Sequence, residues 1–139
     1  MSFANPDDDA LAALFARVRT IAVVGLSPKP ARASYRVAQA MQAYGFRVVP
    51  VRPQLESVLG EAAYPSLEAL PFPVDLVDVF RAPEHVPAIV DACLGLHLPA
   101  LWLQEGVVHD EACARAAGAG LTVVADRCLL KEYIRLFTH

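Results

Sequence analysis

The sequence predicts an α/β fold, a three-layer sandwich around a mainly parallel sheet. Three observations point to it. Short apolar runs such as Ile21–Gly25 and Ala100–Leu103 lack the polar alternation of a half-exposed strand, so they read as strands buried on both faces. Between these runs lie longer stretches with apolar residues at helical spacing, and strands alternating with helices imply right-handed crossovers. The length, 139 residues, suits a single domain over 1–139.

In chain order, Asn5-Pro6 followed by three aspartates predicts a helix start: a cap, a proline at the first helical position, and acids at the positive end of the dipole. Leu11, Leu14, Phe15 and Val18 give this helix, over about 6–18, one apolar face. Ile21–Gly25 is the first strand. A helix from about Ala33 to Tyr44 follows, closed by Gly45 as a left-handed stop. Arg47–Val51 is the second strand, and a short third is expected near Ala62–Tyr64. Asp75–Phe80 is the fourth, with a helix from about Pro83. Ala100–Leu103 is the fifth, before a helix opened by His109-Asp110-Glu111. Leu121–Ala125 is the sixth, with a last helix from about Leu129 to Leu136. The expected architecture is Rossmann-like, with strand order 3-2-1-4-5-6.

Composition narrows the function. Hydrophobic residues make up 55% and charged residues 19%, which excludes intrinsic disorder. A net charge of -3 argues against general nucleic-acid or anionic-membrane binding, so any anion must be gripped locally. Val86–Gln104, the most apolar stretch, is broken by Asp91, His97 and two prolines, and no membrane span is expected. Cys93, Cys113 and Cys128 show no CxxC spacing, so neither a disulfide framework nor a zinc ribbon is indicated. With no leader pattern at the N-terminus, the expected location is the cytoplasm.

In sheets of this class ligands bind outside the carboxyl ends of the strands, where the strand order reverses. The first such loop, Gly25-Leu26-Ser27-Pro28-Lys29-Pro30-Ala31-Arg32-Ala33-Ser34, sets two cations and two hydroxyls ahead of a helix N-terminus, whose free N–H groups favour an anion. It reads either as a phosphate site or as a solvated loop with a Ser34 cap. The G-x-G-x-x-G turn of a dinucleotide site is missing. The acid that binds ribose hydroxyls is missing too, since the second strand ends Val51-Arg52-Pro53. A cation there disfavours NAD and suits a ribose phosphate, as in NADP or coenzyme A.

With these strand ends in place, the chain resembles free-standing coenzyme A-binding proteins. It is similar to the CoA-binding domain of the succinyl-CoA synthetase α subunit, from about Arg17 to Phe137. The resemblance rests on Gly25-x-Ser27-x-x-Pro30-x-Arg32-x-Ser34, Pro50-Val51-x-Pro53, Asp78-Val79-Phe80-Arg81-x-Pro83, Trp102-Leu103-Gln104-x-Gly106 and Asp126-Arg127-Cys128. It implies an extended CoA or acyl-CoA across the carboxyl edge. Gly25, Leu26, Ser27, Lys29, Arg32 and Ser34 would lie around the phosphates, and Val51, Arg52 and Pro53 beside the adenosine. Phe80, Arg81 and Pro83 would line the middle, with Gln104, Glu105 and Gly106 along the pantetheine arm. Arg52 stands where the family more often has asparagine. Leu130 and Tyr133 stand where it tends to have a lysine and a histidine. The synthetase's phosphorylated histidine domain and nucleotide-binding subunit have no room in this chain, so the resemblance implies binding and not ligase activity.

Other candidates are weighed against plainer readings. Cys128, beside Arg127, reads as a reactive thiol able to pair with the CoA thiol, or as a small buried residue. His109 and Cys113, four apart on a helix, lack the further ligands zinc needs. His85, His97 and His139 have no evident partners. Glu105 and Asp126 read as an acid/base pair or as ordinary polar strand-end residues. Asp75 and Asp78, three apart on one strand, point to opposite faces. Trp102 reads as core. Arg127, Lys131 and Arg135, at i, i+4 and i+8, form a basic edge that reads as a phosphate contact or as a solvated face. No catalytic residue and no metal is expected. Three functions stay open: a CoA-binding module without chemistry of its own, an enzyme using NADP or another phosphorylated nucleotide, and a regulatory or homodimeric interaction subunit.

Overall fold

The computed structural model describes residues 3–138, leaving only Met1, Ser2 and His139 of the expected domain, and the isolated histidine among them, outside the described residues. Helix α1 spans Asp8–Arg17, strand β1 Thr20–Val24, helix α2 Ala33–Ala43 and strand β2 Arg47–Val51. A small hairpin follows, β3 Ser57–Val58 and β4 Glu61–Ala62, then a 3-10 turn at Leu67–Ala69 and strand β5 Leu76–Val79. A 3-10 turn at Pro83–His85 leads into α3 Val86–Gly95. The chain finishes with β6 Ala100–Leu103, α4 Asp110–Gly118, β7 Thr122–Val124 and α5 Leu129–Phe137.

Five parallel strands form one sheet in the order β2-β1-β5-β6-β7. Alternation along the strands splits the core in two. Ala22, Val24, Val77, Val79, Leu101 and Leu103 pack with Val86, Val90 and Cys93 of α3 and with Ala112, Cys113 and Ala116 of α4. Ile21, Val23, Leu76, Ala100 and Trp102 pack with Leu11, Leu14 and Phe15 of α1, Val37, Ala38 and Met41 of α2, and Leu129 of α5. This is the predicted three-layer, Rossmann-like sandwich, and Trp102 is fully buried in it.

Four expectations need correction. The expected third strand is not a sheet member: it shrinks to one parallel bridge, Tyr64 to Val51, so the order starts at β2. The reason lies in the outer edge of β2. Arg52 N–H donates outward to the Tyr64 carbonyl at 2.8 Å, but Pro50, the next residue facing that edge, has no N–H to extend the ladder. The chain turns instead into the β3–β4 hairpin, whose Leu59 and Gly60 both take positive φ (53° and 76°) as a two-residue turn requires.

At the N-terminus Asp7, not Asn5, caps α1, accepting from Ala10 N–H at 2.9 Å. Asn5 is already committed elsewhere: its side chain donates to the Ala125 carbonyl at 2.9 Å and accepts from Ala125 N–H at 2.8 Å, tying the N-terminal segment to the end of β7. Asp75 lies just ahead of β5, and its carboxylate accepts from the N–H groups of Arg19 and Thr20. The basic stripe, which runs from Arg127 just ahead of α5 to Lys131 and Arg135 on it, is ion-paired rather than simply solvated, through Arg127–Glu132, Lys131–Glu105 and Arg135–Asp8.

Candidate functional site

The carboxyl edge of the sheet is a row of strand ends tied side by side. Gly25 N–H donates to the Val51 carbonyl, Phe80 N–H to that of Val24, and Gln104 N–H to that of Val79. The chain leaves this edge at Gly25, Arg52, Phe80 and Gln104, so the loops that follow stand together above it.

Gly25 shapes the edge. Its φ is +87°, and a Cβ there would meet the Phe80 carbonyl oxygen at 2.5 Å and Arg81 Cδ at 3.0 Å. Only glycine allows the β1 end to turn this tightly against the β5 end. The loop beyond is pinned from within: Ser27 N–H donates to Ser34 Oγ at 3.0 Å, and Lys29 N–H to Ser27 Oγ at 3.1 Å. Ser34 is thus neither solvated nor the cap of α2. The N-cap is Arg32, and it makes no side-chain cap bond, so the first turn of α2 has no side-chain acceptor at its cap.

Over that turn lies a cleft of about 430 Å³ lined by Gly25, Ser27, Lys29, Arg32, Ser34, Arg52 and Phe80, among others. Three cations face it and no carboxylate does. Lys29 and Arg32 have no ion-pair partner among the described residues, and Arg52 makes only a long bond, 3.4 Å, to the Leu26 carbonyl. Free N–H groups at a helix start together with unpaired guanidinium and ammonium groups are chemically suited to phosphate oxygens.

A second cleft, of about 260 Å³, opens toward α3. Its walls include Val24, Val51, Pro53, Leu67 and Ile89, and its polar lining includes Glu68, Arg81 and His85. Neighbouring residues divide between the two clefts: Arg52 and Phe80 face the first, Pro53 and Arg81 the second. Because consecutive strand-end residues point to opposite faces, the first cleft meets the edge from the α2 side and the second from the α3 side.

The remaining expected residues are placed differently. Leu26 is fully buried, so its side chain belongs to the core and only its carbonyl faces the cleft cation. Pro83 is exposed at the start of its 3-10 turn. Gln104 is turned inward, its amide donating to Asp78 Oδ1 at 2.6 Å. Gly106 N–H donates to Asp126 Oδ1 at 2.7 Å, so that carboxylate orders the turn after β6. Glu105 pairs with Lys131 at 3.0 Å in a third, highly charged cleft shared with Cys128, Asp126 and Arg127.

Cys128 is half-buried there, whereas Cys93 and Cys113 are buried. Burial pushes the Cys93 thiol up to about 12 and the Cys113 thiol upward as well, so neither is a thiolate at neutral pH. His109 caps α4 by accepting from Ala112 N–H through Nδ1, and among the described residues no cluster of three metal-ligating side chains occurs. Tyr133 packs against the rings of Phe15, Tyr44, Phe46 and Phe137, away from the carboxyl edge.

His85 is the residue that sequence reasoning missed. Its only signal was its position four residues beyond Arg81, and contact depends on the 3-10 turn that brings its Nε2 to 3.1 Å from Arg81 Nη2.

Comparison with known proteins shows the family and the fold. A family model for a CoA binding domain matches residues 19–134. The uncharacterized protein YneT of Bacillus subtilis (strain 168) is 38% identical over 125 residues, covering 90% of this chain and 93% of that one. A solved Thermus thermophilus structure superposes with a TM-score of 0.90 at 39% identity, over 95% of this chain and 100% of that chain. An acetyl-coenzyme A synthetase 1 of Ca. Korarchaeum cryptofilum shares the fold at 22% identity and a TM-score of 0.65; 75% of this chain matches 25% of that one.

Proposed function

Because the chain belongs to the CoA binding domain family, we propose that it binds coenzyme A or an acyl-CoA along the carboxyl edge and performs no chemistry of its own. The observation that carries this reading is the cationic, carboxylate-free cleft over the first turn of α2. A diphosphate there would accept from the α2 N–H groups and from Lys29 and Arg32, with Arg52 closing the far side. Gly25 lets the backbone come close to it.

The more apolar cleft beside it offers Val51 and Pro53 to the adenosine part. Gln104 and Gly106 would lie along the pantetheine arm without donating to it, since the Gln104 amide, Gln104 N–H and Gly106 N–H are all bonded within the protein. The free thiols fit a reducing compartment, and the proposal places the protein in the cytoplasm. Among the described residues no helix is long and apolar enough to cross a membrane.

The rival reading, a nucleotide-dependent enzyme, draws on Arg52, a cation at the end of β2 where NADP enzymes hold a ribose phosphate. A thermal-shift panel of CoA, acetyl-CoA, dephospho-CoA, NADP and NAD separates the two. A ligand at ~100 times its dissociation constant stabilises by about 2.7 kcal/mol, which moves the midpoint by several degrees. The expected result is a shift with CoA and acetyl-CoA and none with NAD. A shift with NADP and none with CoA would replace the binding module with the enzyme.

A further inference from the structure

Arg81 is half-buried, and its side chain lies over Gly25, where even a methyl group would press on it. Among the described residues it has no carboxylate partner. Its one side-chain contact of this kind is Nη2 to Nε2 of His85, at 3.1 Å. A guanidinium offers only donors, so the imidazole nitrogen facing it must be the acceptor. Two nitrogen groups therefore converge in one cleft with no anion between them. Glu68 also lines this cleft but pairs with neither. The walls from β1, β2 and α3 bring no other titratable side chain to it.

We propose that Arg81 and His85 form a second anion subsite, which takes a phosphomonoester separate from the diphosphate held over α2. The two cationic clusters lie in adjoining clefts, with Phe80 and Arg81 as consecutive residues on either side. One compact diphosphate cannot occupy both. A ligand with a diphosphate and a distinct ribose phosphate fills both, so this pair selects for the 3′-phosphate of CoA. On binding, the phosphate oxygens displace the Arg81–His85 bond: Arg81 donates to them directly, and His85 donates through a ring N–H.

The inference rests on the CoA-binding reading, and calorimetric titration with CoA and dephospho-CoA, which differ only in that phosphate, tests it. The intact protein should prefer CoA by about 10- to 100-fold, the range of one or two charge-assisted hydrogen bonds. His85→Ala should cut that preference about tenfold while leaving dephospho-CoA binding unchanged, and Arg81→Ala should cut it at least as far. Arg32→Ala should weaken both ligands alike. His85 is exposed, so its variant stays informative should Arg81→Ala fail to fold. A preference that survives in His85→Ala and vanishes only in Arg32→Ala or Arg52→Ala overturns the subsite and moves the phosphomonoester to the other cleft. Equal binding of the two ligands by the intact protein overturns the subsite but leaves the CoA reading standing. Binding of neither overturns both.

Discussion

The Gln104 amide donates to Asp78 Oδ1 at 2.6 Å, while Oδ2 of the same carboxyl has no partner. Asp78 is fully buried in β5, between Val23 of β1 and Trp102 of β6. The pair joins the ends of β5 and β6 and turns the Gln104 side chain away from the carboxyl edge. A carboxylate with one hydrogen bond in an apolar layer is costly, and the structure accommodates it by favouring the protonated form.

Burial, only partly offset by the Gln104 hydrogen bond and the nearby Val79 backbone, raises the Asp78 carboxyl from 3.8 to about 7. The folded state therefore holds its proton where the unfolded chain has lost it. Stability from this group is complete below the unfolded value and is lost as pH rises through the folded one. Asp78→Asn, which cannot ionise, should gain on the wild type between about pH 4 and pH 8, by at most ~4 kcal/mol. Urea unfolding at several pH values reads this, and parallel pH profiles for the two proteins would rule it out.

Gly25→Ala forces a Cβ into the Phe80 carbonyl oxygen at 2.5 Å, on a backbone of φ +87°. The left-handed conformation alone costs about 1–2 kcal/mol, and relieving the overlap means moving the end of β5. The variant should melt several degrees lower and bind CoA more weakly, because Phe80 and Arg81 shift together. An unchanged melting temperature would show that the edge is looser than the contact implies.

Ser34→Ala removes the acceptor for Ser27 N–H and so unpins the loop over α2. The loss should be about 0.5–1.5 kcal/mol of stability, with faster amide exchange across residues 27–32. Ser34→Thr keeps an acceptor oxygen and should restore part of the protection. Wild-type exchange rates in Ser34→Ala would mean that the loop is held by other contacts.

Arg32→Ala should weaken CoA binding by about 1.5–3 kcal/mol, as expected for a charge-assisted bond to a phosphate. Arg32 is exposed and makes no ion pair among the described residues, so stability should barely change. Titration calorimetry with a parallel melting curve checks both halves. An unchanged dissociation constant would take Arg32 out of the site.

The chain's local patterns carried the architecture. Uniformly apolar runs at Ile21–Val24 and Ala100–Leu103 marked strands covered on both faces, and the residues at their ends marked the carboxyl edge. Lys29 and Arg32 were readable as candidate anion contacts from their place ahead of a helix start, and Arg52 from the end of β2, but only the structure shows that none of them is ion-paired among the described residues. The shortened third strand was also written locally, in the missing N–H of Pro50. Its effect could be seen only once Tyr64 was known to be the outer neighbour.

What the sequence determined by itself was whatever depends on residues close along the chain: hydrophobic period, turn chemistry, and the charge of the strand ends. Tertiary structure alone decided which of those side chains are free to meet a ligand. It turned Gln104 inward to Asp78, used Ser34 to hold Ser27, committed Asn5 to Ala125, and set His85 against Arg81. The reason is physical. A buried polar group must find a partner wherever the crossovers bring one, and a pattern along the chain does not record which distant group arrives there.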